Sequence, residues 1–378
     1  MKFAILESVV TPGGHEIDYD RILVEELTAL GHSVEFYVPE DHEFKWNYGV
    51  PVHHLPGKGV SYAGARGLKK LCLAAKREYN RRRWCNKMYE YSLEKRFDAI
   101  IFPSATYRYL RGLQSTKLLK TSIPVIYIIH GLTPKETTNL FEQAKKISNK
   151  PNIKIAVQTF APEALKTNLS NLSYFPPPAY IPRDIENQQC ITYNETLKLG
   201  FFGQYRKEKN LDAFLDAYFS CKFEHPVKLI VQGATQTPAD AEDFVRIINK
   251  YVGHAEKIEF IHKPLIGKEW QEGISSIDAI VMPYSNPRYR YHTSAMLSTA
   301  IGFYKPIIIE ENINPEVLEK FKIGITFDHS DTSSLKKALE QFVNTFAKQK
   351  NSYEQELHRA NEMFRPQGLA KNIVGLTL

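Results

Sequence analysis

The stretch LGFFGQYRKEKNL at residues 199–211 does most to restrict what this chain can fold into. An apolar run ending in Phe201 and Phe202 is short enough for a buried strand. It breaks at Gly203, crosses a polar, basic turn, and resumes at Asn210 with helical spacing through Leu211, Phe214, Leu215 and Tyr218. Strand, tight turn and helix N-terminus in that order form the βα half of a parallel-sheet unit. Such a turn offers backbone N–H groups and the positive end of a helix dipole. Gly203 has no Cβ, so a ligand can approach its backbone closely. Arg206 and Lys209 place two cations at the same mouth. A phosphate or diphosphate suits this place, and an ordinary βα turn with solvated charges would have the same sequence.

The rest of the chain repeats the construction. Residues 2–6 read as a strand, 11–15 (Thr-Pro-Gly-Gly-His) as a glycine turn, 19–30 as a helix closed by Gly31-His32, and 33–38 as a second strand. This βαβ unit implies a parallel sheet with a right-handed crossover. Further strands are expected at 99–102, 125–129 and 153–157. Phe175-Pro176-Pro177-Pro178 and the polar residues to Glu195 read as a linker, because three prolines continue neither a helix nor a central strand. Beyond it, strands are expected at 198–202, 227–231, 258–261, 279–282, 306–309 and 324–327, with helices between and a mostly helical region at 335–364. The expected fold is α/β, with two doubly wound Rossmann-like domains facing a cleft, strand C-terminal ends toward it. The domains are read as 1–178 and 191–355, with 356–378 a helix or tail crossing back to the first.

Composition limits the class. The 43% hydrophobic and 24% charged content is that of a globular protein. No run of about 18 apolar residues is present, and the opening Met-Lys-Phe-Ala-Ile-Leu meets Glu7 without a cleavable signal pattern. Cys72, Cys85, Cys190 and Cys221 show neither metal nor redox spacing, which suits a reducing compartment. A cytoplasmic protein is expected, peripheral to the inner face of the cell membrane. The basicity is local: from Lys58 to Arg96, twelve Lys and Arg stand against three Glu, an excess larger than the +7 of the whole chain. Within it, Leu68, Leu71, Cys72, Ala75, Tyr79, Trp84 and Met88 recur at roughly helical spacing among Lys69, Lys70, Arg81, Arg82 and Arg83. A basic amphipathic helix suits an anionic membrane surface or a lipid-linked acceptor. The alternative is a solvated helix packed on its own domain. No nucleic-acid recognition module is present.

A second informative stretch begins at Asp278, runs through a strand into Pro283-Tyr284, crosses a loop with Arg288, Arg290 and two further tyrosines, and enters a helix near Ser294-Ala295. Lys305-Pro306 follows Ala300. Together with the Gly-x-x-Arg-x-x-Lys-Asn turn at 203–210, this order resembles the C-terminal domain of GT-B glycosyltransferases, in particular the mostly retaining family 4. Gly13-Gly14, Gly31-His32 and the strand end Ile129-His130-Gly131 fit the same family, so the resemblance spans nearly the whole chain.

The resemblance implies transfer of a sugar from a nucleoside-diphosphate sugar to a glycan or lipid-linked acceptor, as in surface-polysaccharide assembly. It assigns the donor diphosphate to Gly203, Arg206 and Lys209, and the distal phosphate to Ser294 and Ala295. His130 is assigned to the donor sugar, Gly13 and Gly14 to a close approach, Tyr284 to the donor site, and the loop carrying His262, Lys263 and Leu265 to the nucleobase. His130, Arg206 and Lys209 are the expected catalytic set. No Asp-x-Asp pair stands in the second half of the chain, where the resemblance puts the donor, and no carboxylate nucleophile stands out, so no metal or cofactor is expected, and the departing phosphate would take the acceptor's proton. Bland readings remain beside these: a satisfied strand-end histidine at 130, a plain turn at 13–14, a solvated loop at 288–290, and a helix cap at Ser294. Tyr291 and Thr299 stand where family members carry two glutamates, Gln204 where an arginine is usual, and Tyr304 where glycine is usual. Those departures keep two alternatives open, a non-catalytic GT-B partner and a GT-B nucleotide-sugar 2-epimerase.

Overall fold

The computed structural model describes residues 1–8, 15–44, 46–61, 64–165, 167–183, 191 and 195–378. The chain divides into two compact units, the first built on residues 16–177 with the opening strand and 366–378, the second on 178–365. Gly13 and Gly14 lie outside the described residues.

The first unit holds strands β1 (Lys2–Leu6), β2 (Ser33–Pro39), β3 (Val52–Leu55), β4 (Ala99–Phe102), β5 (Val125–His130), β6 (Ile153–Gln158) and β7 (Leu172–Phe175). They form one parallel sheet in the order β3-β2-β1-β4-β5-β6-β7. Its helices are α1 (His15–Ala29), α2 (Gly67–Leu93), α3 (Tyr107–Leu113) and α4 (Pro134–Lys146). The central strands are apolar and buried along their length, as a sheet covered on both faces requires. The order reverses between β1 and β4, the switch point at which doubly wound sheets leave a crevice at their strand C-terminal ends.

The second unit holds β8 (Leu197–Phe201), β9 (Val227–Gln232), β10 (Ile258–Ile261), β11 (Ala279–Met282), β12 (Ile307–Glu310) and β13 (Gly324–Phe327), in the parallel order β10-β9-β8-β11-β12-β13. Here the switch lies between β8 and β11. Its helices are α5 (Leu211–Ser220), α6 (Pro238–Tyr251), α7 (Lys268–Ser275), α8 (Ala295–Gly302), α9 (Pro315–Lys320) and α10 (Thr332–Met363). The linker enters beside α8: Tyr180 donates its N–H to the Ser298 carbonyl at 3.0 Å. A Cβ on Gly302 would sit 2.2 Å from the Tyr180 carbonyl oxygen, so this crossing needs glycine.

One expectation is corrected. A boundary at 355/356 falls inside α10, which runs unbroken to Met363; the chain returns to the first unit only at Pro366, as α11 (Pro366–Gly375). Tyr304, where the family usually has glycine, adopts a left-handed backbone with φ +53°, at a steric cost of about 1–2 kcal/mol. Its ring packs 4.7 Å from that of His358, a contact glycine would not make.

Candidate functional site

The strongest site lies at the C-terminal end of β8. Gly203 has φ +108°, a backbone that L side chains rarely adopt, and a Cβ there would come within 3.2 Å of Lys209 Nζ and 3.9 Å of Met296 Sδ. The turn after β8, the lysine side chain and the start of α8 therefore converge on one point. Gly203 donates its N–H to Gln232 Oε1 at 2.8 Å, and Gln232 Nε2 donates to the Lys263 carbonyl at 2.6 Å. This buried glutamine, on β9, ties the expected nucleobase loop to the glycine turn. It escapes sequence reading because a glutamine ending an apolar strand carries no motif.

Lys209 is 8% exposed and its ammonium has no carboxylate or other hydrogen-bond partner among the described residues. Its nitrogen stands 5.0 Å from the Tyr284 ring centroid and 5.7 Å from that of Phe201. Burial first, then the charges of Arg206 and Arg288, push its pKa down to about 7, with Glu208 opposing. Glu208 is committed elsewhere. It takes Arg288 at 2.8 Å and accepts from Asn286 Nδ2 and the Tyr289 hydroxyl, with Arg206 more distant at 3.8 Å. Three cations thus share one carboxylate. Arg288 is drawn in from the loop after Tyr284, so it is not simply solvated. Gln204, in the usual arginine position, steadies Arg206 by accepting from Nη2 at 3.2 Å.

The start of α8 completes the cluster. Ser294 Oγ accepts from the Leu297 N–H, its backbone N–H is held by Asn314 Oδ1 at 3.0 Å, and the side chain is buried. Its hydroxyl serves as a helix cap. The N–H groups of Ala295 and Met296 have no acceptor among the described residues. Burial raises the Tyr284 phenol, which stays neutral beside the cations. Thr299, where a glutamate is usual, spends its hydroxyl on the Ala295 carbonyl at 3.0 Å. Tyr291 is exposed.

Other motif residues turn out to be structural. Asp278, at the opposite end of the sheet, caps the Lys198 N–H at 2.7 Å, and Lys305 Nζ donates to the Ser275 carbonyl at 3.1 Å. In the nucleobase loop, His262 Nε2 is 3.2 Å from Thr235 Oγ1 with its ring edge-on to Phe244, Lys263 Nζ pairs with Glu269 at 3.2 Å, and Leu265 packs against Gly273.

In the first unit, His130 ends β5. Its Nε2 lies 2.7 Å from the Pro103 carbonyl, which only accepts, so that nitrogen carries the hydrogen. Tyr19 meets its ring edge-on at 4.7 Å and accepts from Gln158 Nε2 at 2.9 Å. Nearby are two groups that sequence reading missed, Glu7 after β1 and Asp20 on α1, both buried. Burial first, then the charges of Glu7 and Glu16, hold the Asp20 carboxyl well above the usual range. Glu7 belongs to no motif, Asp20 closes Asp18-Tyr19-Asp20 within α1, and only the fold brings the two together.

The basic helix α2 corrects another expectation. Arg81 is 7% exposed, paired to Glu78 at 2.7 Å and seated 3.7 Å over the Tyr109 ring. It is a packing residue and is withdrawn from the surface set, whereas Lys69, Lys70, Arg82 and Arg83 are exposed. Among the described residues no helix is long and apolar enough to cross a membrane, and no cluster of potential metal ligands occurs.

No family model matches the sequence, and no curated protein matches it. Solved structures do match. Alr3699/HepE from Anabaena, in complex with UDP, aligns at TM-score 0.69 and 14% identity, covering 99% of each chain. The sucrose-phosphate synthase tll1590 of Thermosynechococcus elongatus aligns at TM-score 0.69 and 13% identity, over 100% of this chain and 98% of that one. WaaG, a glycosyltransferase involved in lipopolysaccharide biosynthesis, aligns at TM-score 0.63 and 14% identity over 99% of both. These neighbours are GT-B glycosyltransferases, and the fold of two Rossmann-like α/β units is the one they share.

Proposed function

We propose that this protein is a glycosyltransferase whose second unit holds a nucleoside-diphosphate sugar by its diphosphate. The observation that carries the reading is Lys209: a buried ammonium beside two guanidiniums, with the neighbouring Glu208 carboxylate already taken by Arg288. An arrangement of like charges without a counterion costs stability unless a ligand supplies the anion. A diphosphate supplies it and would also meet the N–H groups of Ala295 and Met296. Family 4, hexosyl transfer and retention are adopted from the motif order.

In the proposed reaction the bond from the anomeric carbon to the β-phosphate breaks and the acceptor oxygen bonds to that carbon. The departing phosphate takes the acceptor's proton. Arg206 and Lys209 stabilise the charge that grows on the leaving oxygen, the term that usually dominates such catalysis. His130 is proposed to contact the donor sugar. The protein's own cations fill the role a divalent metal would serve, so we propose metal-independent transfer.

HepE binds UDP and UDP-glucose, which makes uridine donors the first to test. The acceptor is proposed to be a lipid-linked or surface glycan, and the site of action the cytoplasmic face of the membrane. A screen of nucleotide-sugars by thermal shift and slow donor hydrolysis in EDTA tests the reading. One or more donors should both stabilise and be hydrolysed. Stabilisation without hydrolysis or transfer would favour the non-catalytic partner, for which the missing glutamates at Tyr291 and Thr299 speak. Release of a 2-epimerised sugar would favour the epimerase.

A further inference from the structure

The seven apolar residues that recur along α2 belong to two opposite faces. Trp84, Cys85 and Met88 are buried with Asn80 and Arg81, anchoring the C-terminal half of the helix to its unit. Leu68, Leu71, Cys72, Ala75 and Tyr79 fall within roughly a third of the circumference of a helix with about 3.6 residues per turn, on the side away from that anchor. All five are exposed, Leu68 at 81%, Leu71 at 66% and Tyr79 at 62%. An amphipathic helix normally turns its apolar stripe inward; here three large side chains of one stripe face away from the core. Lys69, Lys76 and Arg83 flank it on one side, and no acidic residue occurs between Lys58 and Glu78.

On the other flank, α2 and α3 line an open cavity of about 340 Å³ bordered by Arg77, Arg108, Arg111, Tyr107 and Ala75, with Glu78 at its wall. Glu78 is engaged with Arg81 at 2.7 Å and Arg77 at 3.9 Å. Arg111 is exposed and has no carboxylate partner among the described residues. Ala75 borders both cavity and stripe, so a phosphate held by the arginines would have its apolar tail beside the leucines.

We infer that the N-terminal half of α2 and this arginine cavity dock the protein on an anionic phospholipid surface, the stripe entering the interface and the cavity receiving a headgroup phosphate. Apolar area and cations together are what interfacial binding requires. A nucleic-acid partner would use the cations and leave the leucines without a role. The inference stands apart from the proposed donor site, and the two fail separately.

The test is co-sedimentation of the full chain with vesicles of phosphatidylcholine alone or with phosphatidylglycerol, at low and high salt. Wild type should pellet only with phosphatidylglycerol and be released by salt. R108Q/R111Q should weaken partition by roughly 30-fold, since each cation near an anionic surface is worth about 1 kcal/mol, a fivefold factor. L68S/L71S should weaken it by about tenfold or more with every charge intact. Both variants change exposed side chains, and unaltered melting and UDP affinity would confirm that they fold. Wild type remaining in the supernatant with phosphatidylglycerol at low salt would overturn the inference, as would variants that pellet like wild type. Salt-sensitive binding to duplex DNA with no vesicle binding would overturn it in favour of a nucleic-acid surface.

Discussion

The two units are built alike and charged in opposite senses where their sheets switch direction. At β8 and β11 the second unit gathers Arg206, Lys209 and Arg288 around a glycine turn and two N–H groups that have no acceptor among the described residues. At β1, β4 and β5 the first unit gathers His130, Tyr19, Gln158 and the buried carboxylates Glu7 and Asp20. One scaffold therefore gathers cations in one unit and buried acidic and hydrogen-bonding groups in the other, so the fold alone decides neither. A buried ammonium beside two half-buried guanidiniums calls for a polyanion. Buried carboxyl groups that hold a proton, as Asp20 does, suit a hydroxyl-rich partner instead.

The largest effect expected from that contrast is on turnover. His130→Ala should cut it by about 100-fold, on the scale of losing one donor at a reacting centre, while UDP affinity stays the same. Weakened UDP binding with turnover intact would break the division of labour. Lys209→Ala should cost about 1.5–3 kcal/mol of UDP affinity, a loss of roughly tenfold to 150-fold by calorimetry, with Arg206→Ala at the low end because its side chain is more exposed.

A smaller effect concerns pH. Lys209 without ligand holds its proton only below about pH 7, and a bound diphosphate raises that value. Binding above pH 7 must therefore take up a proton, and affinity should fall by up to about tenfold per pH unit. Lys209→Arg should flatten the profile. The same depressed pKa means the unliganded second unit gains stability as pH rises from 7 toward the ordinary lysine range, because the unfolded chain binds more protons there.

The smallest effect separates the units by stability. Asp20 has a raised pKa in the folded state, so ionising it is unfavourable there and the penalty develops as pH rises above the usual aspartate range. Asp20→Asn should raise the melting temperature at pH 7 by about 2–4 °C for each kcal/mol relieved, and the gain should fade on acidification. An equal gain at every pH would remove the electrostatic reading of the first unit.

Much of this was legible in the residues. The central strands are continuous apolar runs, and the eleven strands expected from the sequence all coincide with observed ones. β3 (Val-His-His-Leu) and β7 (Leu-Ser-Tyr-Phe) were not visible, because an edge strand exposed on one side needs no apolar run. Gly203 and Lys209 stood out through spacing. Gln232, Arg288, Glu7 and Asp20 did not, because their neighbours come from distant strands and loops. On α2 the periodicity was real, yet two stripes on opposite faces blended into one pattern. Only burial separates Met88 from Leu71 and takes Arg81 off the surface.

The most direct measurement is calorimetry of wild type with UDP and with uridine, in EDTA at pH 6.5. If the cations at β8 and α8 hold a diphosphate, UDP binds and uridine binds at least about 100-fold more weakly, each charge-assisted contact being worth about 1.5–3 kcal/mol. Equal affinity for the two, or UDP binding only when a divalent metal is restored, would contradict the account.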